Sequence, residues 1–201
     1  EPKGMKILAR IDHHPLTDPE IKHYLETEPD GSKLKESILR KKFDNTVLKL
    51  QDNRIVSQKE ILTVGILTTE SISSTIDLQS EIETILGLKN SKLQSFKKFN
   101  KSDEVSFNYF SEKDVNWRGN FIQPTFQNFL EQPFDLLIGY FKHHHLYLEK
   151  AVLESKASFK AGFSDVNSKL YELEISTELE NSQQFSSELK KYLQILKKLK
   201  N

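Results

Sequence analysis

Phe134-Asp135-Leu136-Leu137-Ile138-Gly139-Tyr140 is an apolar run that Pro133 precedes and the polar Lys142-His143-His144-His145 follows. A strand buried on both faces of a sheet reads this way, because neither face meets water. From about His144 to Ala157 the pattern turns helical, with Leu146 or Leu148, Val152 and Leu153 facing inward. Phe159-Lys160-Ala161-Gly162-Phe163 then supplies another short strand. Strand, helix and strand within about 30 residues form a βαβ unit with parallel strands.

The same grammar extends outward on both sides. Ile61 to Leu67 is a second buried-strand run, Ser71 to Ser74 offer helix caps, and Ile76, Ile82, Ile85 and Leu86 mark a helix ended by Gly87. Leu93 to Phe99 reads as a strand, and Val105 to Phe110 alternates as a strand with one polar face at Asn108. Thr125 to Glu131 is a short helix carrying Phe126, Phe129 and Leu130. Leu170 to Thr177 reads as an edge strand. A last helix carries Phe185, Leu189, Tyr192, Leu196 and Leu199, with Lys190, Lys191, Lys197, Lys198 and Lys200 on its outer side. Alternating strands and helices predict an α/β fold, Rossmann-like (flavodoxin-like), with an open, mostly parallel sheet over residues 59–201.

Residues 1–58 read differently, as a charged helical N-terminal extension. One helix is expected from Asp18 to Thr27, opened by Pro19, and Pro29-Asp30-Gly31 turns the chain. A second runs from Ser32 to about Phe43, with Leu34, Ile38 and Leu39 on one face and basic residues elsewhere.

Lys plus Arg and Asp plus Glu number 29 each, so no excess of positive charge draws the chain to nucleic acid, and none is expected as a partner. Cysteine is absent, which removes disulfides, thiolate nucleophiles and cysteine-ligated metals and fits a reducing compartment. Thirteen Phe residues against one Met and one Trp imply a core built on aromatic rings. No apolar run approaches the roughly 20 residues of a membrane span, and Glu1-Pro2-Lys3-Gly4-Met5 opens no signal-peptide core. The expected setting is cytoplasmic. Met5 reads either as a start preceded by four extra residues or as the interior of a longer chain.

Val64-Gly65-Ile66-Leu67, the stretch from Phe110 to Gly119, Phe134 to Ile138 and Lys191 to Leu196 together resemble an uncharacterised family of small Bacteroidetes proteins, a domain of unknown function. The resemblance covers roughly residues 35–200. It implies the α/β fold and a bacterial cytoplasmic setting, and it carries no activity. Residues 5–34 depart from the family's pattern.

Ligands of open α/β sheets bind beyond the carboxyl ends of the strands. Thr68-Thr69-Glu70-Ser71 lies there, with hydroxyls that either hold an anion or cap a helix; neither GxGxxG nor GxxxxGK[ST] occurs, so no nucleotide cofactor is expected. Lys142 and His143 follow the next strand and could join Thr68 and Ser71 on an anion. The spacing of the histidines does not build a metal site, because only Glu149 lies four residues beyond His145. Asp12-His13-His14 is similar to the Asp-His-His motif of a metal-dependent phosphoesterase superfamily but lacks room for that family's upstream aspartates. Asp114 and Trp117 form a dense cluster with Lys113 and Gly119, readable as a partner anchor or as a plug against the core.

The leading expectation is a non-enzymatic protein-binding or scaffold subunit, with Leu34, Ile38, Asp114 and Trp117 as contact residues and a protein as partner. The alternative is a small enzyme or sensor binding an anionic or phosphorylated metabolite through Thr68, Ser71, Lys142 and His143. A third reading is a subunit held peripherally at the inner membrane, or in a larger assembly, by residues 5–43. No catalytic residue, metal or cofactor follows from the sequence.

Overall fold

A computed structural model describes residues 31–50, 55–104 and 106–200. The helix read over residues 18–27 and the Asp12-His13-His14 motif lie outside the described residues. The chain runs α1 (Gly31–Leu48), β1 (Val64–Thr69), α2 (Glu70–Ser73), α3 (Leu78–Leu86), β2 (Lys92–Phe96) and β3 (Tyr109–Phe110). It continues through α4 (Pro124–Glu131), β4 (Leu136–Tyr140), α5 (Leu146–Glu154), β5 (Lys160–Phe163), β6 (Leu173–Ile175) and α6 (Ser182–Ile195). All strand pairs are parallel, in the order β3-β2-β1-β4-β5-β6. The order reverses between β1 and β4, which is the doubly wound Rossmann arrangement.

The two central strands are largely apolar because helices cover both faces. β4 is buried at every position, and β1 at all but its last. Asp135 sets their register. One of its carboxylate oxygens accepts from the Leu62 and Thr63 amides and from the Thr63 hydroxyl, each at 3.0 Å. The Thr63 hydroxyl in turn accepts from the Asp135 amide at 3.0 Å. α3 packs against α6, and α1 packs on α5. Phe110, Phe121, Phe126, Phe129 and Phe134 form one chain of ring contacts, and Tyr140, Phe163 and Phe185 form another, so the aromatic core is real.

Several elements differ from the sequence expectation. Among the described residues, the strand read over 105–110 is only Tyr109–Phe110, because Ser106 turns the chain: its hydroxyl accepts from the Asn108 amide at 3.4 Å. The helix expected around Ser71 to Leu86 is two helices, the second capped by Asp77, which accepts from the Ser80 amide at 3.1 Å. β2 ends at Phe96, and β6 is confined to Leu173–Ile175 behind a 3-10 turn at Ser168–Leu170. α1 continues five residues past Phe43, since Leu39, Phe43 and Val47 keep one face in the core.

α6 buries Phe185, Leu189 and Leu193 and leaves Tyr192 and Leu196 exposed, so its inner stripe follows Leu193 and not the expected Tyr192. Lys198 is not on the outer side either. It is 2% exposed, donates to the Ser57 and Lys59 carbonyls, and sits 4.6 Å from the centre of the Phe159 ring.

Candidate functional site

The residues singled out after β1 and β4 do not converge. Thr68 is fully buried and donates its hydroxyl to the Tyr140 carbonyl at 2.8 Å, tying the two central strands together. Ser71 is exposed, and its hydroxyl pairs with that of Thr69 at 2.9 Å. Lys142 turns toward the far half of the sheet and meets Glu178 at 2.7 Å and Asp165 at 3.9 Å. The Glu178 hydrogen bond raises its pKa. His143 is exposed and makes no hydrogen bond or ion pair among the described residues.

The four contact candidates are placed as follows. Leu34 and Ile38 are half-buried on α1. The Asp114 carboxylate accepts from the Ser111 amide at 2.7 Å and the Ser111 hydroxyl at 3.1 Å, closing a capping box. Trp117 is 7% exposed, with the Arg118 guanidinium 4.9 Å from its ring centre.

A cleft does open beyond the carboxyl ends, on the β2 side of the reversal point. Its volume is about 490 Å³. Phe96 ends β2, Lys98 follows it, Glu112 follows β3, and His144 to Tyr147 open α5, while Lys33, Glu36 and Arg40 reach it from α1. α1 is held over the cleft at two points. Lys35 Nζ donates to the Glu112 carbonyl at 3.1 Å, and Lys42 Nζ donates to the Arg118 carbonyl at 3.0 Å.

The wall is aromatic. Phe96 and Tyr147 stack at 5.4 Å between ring centres with planes 6° apart, and His145 meets Phe96 edge-on at 4.4 Å. His145 is also the N-cap of α5, its Nδ1 accepting from the Leu148 amide at 3.3 Å. Burial, aided by the nearby Arg40 charge, pushes its pKa down to about 4. The ring is therefore neutral at pH 7, and because Nδ1 accepts, its proton resides on Nε2. Burial, with the charges of Glu36 and Glu112, pushes the Tyr147 phenol up to about 12.

The α5 N-terminus already holds a negative charge. Glu149, 2% exposed, accepts from the His145 amide at 2.8 Å, with His144 Nδ1 3.2 Å from its other oxygen. Glu112 is likewise engaged, accepting from the Phe99 amide at 3.1 and 3.3 Å. By contrast, Lys33, Arg40 and Lys98 have no ion-pair partner among the described residues. No group of three or more metal-ligating side chains is assembled among the described residues. No described helix is long and apolar enough to cross a membrane.

Residues 35–196 match the model of DUF6913, a family of unknown function. The chain belongs to that family. No curated protein and no solved structure matches it. The DUF6913 segment takes in the whole sheet and most of α1, so the cleft is made almost entirely of family residues.

Sequence reasoning looked to the carboxyl edge, where this cleft lies, but did not single out Arg40, Phe96, Lys98, His145 and Tyr147 as a group. A usable signal existed. Phe96-Lys97-Lys98 lies inside the strand read over Leu93 to Phe99, and it offers two cations and a ring where β2 in fact ends.

Proposed function

We propose that the protein is a ligand-binding module whose carboxyl-edge cleft takes a small anion with a flat apolar portion. One arrangement carries this reading: a stacked Phe96–Tyr147 wall and three cations without ion-pair partners among the described residues, lining a cleft of about 490 Å³ beside the strand-order reversal. Cavities of this size suit small ligands, and open α/β sheets bind theirs at this place. The rings supply a surface for a planar group, and Lys33, Arg40 and Lys98 supply the counter-charge. Neutral His145 adds an Nε2 donor without adding charge.

The scaffold reading has less support among the described residues. α1 turns Leu39, Phe43 and Val47 into the core, and Trp117 and Asp114 serve their own loop.

Phenyl phosphate tests the proposal, with inorganic phosphate and phenol as its two halves. Amide NMR of the full chain is expected to show saturable shifts at Phe96, Lys98, His145 and Tyr147 with millimolar phenyl phosphate, and weaker ones with either half. Arg40→Ala and Lys98→Ala are each expected to weaken binding by about tenfold, one charge-assisted hydrogen bond's worth. Shifts that are absent or scattered outside the cleft refute the assignment.

A further inference from the structure

A second cavity, of about 370 Å³, lies at the other end of β2. β3 pairs with β2 only at Ser95 and Phe96, so Lys92 to Gln94 run along an open stretch of sheet edge between α3 and α4. The lining is dominated by carboxamides: Gln79, Gln94, Asn108, Asn128 and Gln132. Lys92 is the one charged residue in it, and its ammonium is committed to Gln132 Oε1 at 2.8 Å. Phe129 lies buried at the floor and Phe107 stands 72% exposed at the rim.

Gln94 is the informative member. It is 6% exposed, and its Nε2 donates to the Phe107 carbonyl at 2.9 Å. Its Oε1 is shut away from solvent and has no partner among the described residues. Leaving such an acceptor unpaired costs about 1–3 kcal/mol, so the site is short of a donor. The side-chain amides of Asn108 and Asn128 face outward and have no hydrogen bond among the described residues.

This chemistry excludes most ligands. A cation finds no carboxylate here, an anion finds a single ammonium already held by Gln132 Oε1, and a purely apolar molecule would strip water from carboxamides without replacing their hydrogen bonds. A neutral ring that carries donors and acceptors side by side satisfies both needs, because each carboxamide offers one of each. Phe107 gives such a ring an exposed face to stack on.

We propose that the carboxamide-lined cavity at the amino end of β2 binds a neutral polar ring compound with the hydrogen-bonding character of a monosaccharide or a nucleoside. The site is separate from the carboxyl-edge cleft and does not depend on it.

Amide NMR of the full chain tests this with glucose and uridine, each beside its phosphorylated counterpart, glucose 6-phosphate and uridine 5′-monophosphate. The expected result is a saturable shift of Leu93, Gln94, Asn108 and Asn128 with one of the neutral probes in the millimolar range. A response to glucose alone assigns a sugar, and one to uridine alone assigns a nucleoside. Asn128→Ala, an exposed change that leaves the core intact, is expected to weaken that binding by about tenfold, the loss of roughly one hydrogen bond. Gln94→Leu is expected to abolish it. The proposal is overturned if neither neutral probe shifts these amides, if a phosphorylated probe binds there more tightly than its neutral form, or if Asn128→Ala binds as tightly as the parent.

Discussion

The imidazole of His145 can cap α5 only while Nδ1 keeps its lone pair, and its folded pKa of about 4 lies below the unfolded value of 6.5. As pH falls the unfolded chain therefore takes up the proton first. The stability that the neutral cap contributes is complete above about pH 6.5 and is lost as pH drops toward about 4, by no more than about 3 kcal/mol. Partial exposure of the ring reduces that figure. Denaturant midpoints measured across this range are expected to fall, and His145→Asn, which caps without titrating, is expected to flatten the decline. An unchanged slope in the variant would remove His145 from the account. A second residue-scale case is Tyr171, whose ring lies over Gly139 and Gly162. A Cβ on Gly162 would come within 2.3 Å of the ring carbon Cζ, and one on Gly139 within 2.3 Å of the hydroxyl. Gly162→Ala is expected to cost about 1–3 kcal/mol by overpacking. The Tyr171 hydroxyl is buried with no partner among the described residues, so Tyr171→Phe is expected to be neutral or to stabilise by about 1 kcal/mol in chemical denaturation.

At the scale of elements, α1 is where the sequence was hardest to divide. Residues 1–58 read as an extension because their charge density is high. Within α1, however, Leu39, Phe43 and Val47 recur at four-residue steps and join the same apolar cluster as the sheet. Phe43→Ala is expected to cost about 3–5 kcal/mol and to lower the midpoint of one cooperative transition. A variant that melts α1 separately while the sheet keeps its stability would favour a boundary near residue 58. The βαβ unit from Phe134 to Phe163 was legible because a strand covered on both faces must be apolar at every step, and β4 is. β3 was not, since its strand-like alternation includes Phe107, which stands exposed in the turn that Ser106 starts. The last helix shows a subtler limit. Leu189 is followed by Tyr192 and Leu193, both apolar, and only packing against α3 decides that Leu193 goes inward.

For the whole molecule, the class of fold was readable, and so was the edge of the sheet on which the candidate cleft opens, but not the residues that line it. That ligands gather at the carboxyl edge follows from any parallel α/β sheet. Which loops become neighbours there follows from strand order, and no residue pattern encodes that order locally. Lys142 looked free to meet Thr68 until Glu178, 36 residues further on, took its ammonium. Arg40 and Tyr147 come from segments more than a hundred residues apart, joined only because α1 packs on α5. β2 alone touches both proposed sites, with Phe96 in one and Lys92 to Gln94 in the other, about 7–13 Å away along the strand.

The clasp between Asp135 and the entry to β1 bears on how the chain is made. Leu62 and Asp135 are 73 residues apart, yet their bond sets the central seam of the sheet. A ribosome adding about 5–20 residues per second needs roughly 4–15 s to cover that distance. From the emergence of β2 onward, β1 has β2 on one side and, until β4 follows, an unpaired edge on the other, the kind of surface that recruits stray strands. The nascent protein's greatest demand for chaperones falls between the emergence of Thr63 and that of Tyr140.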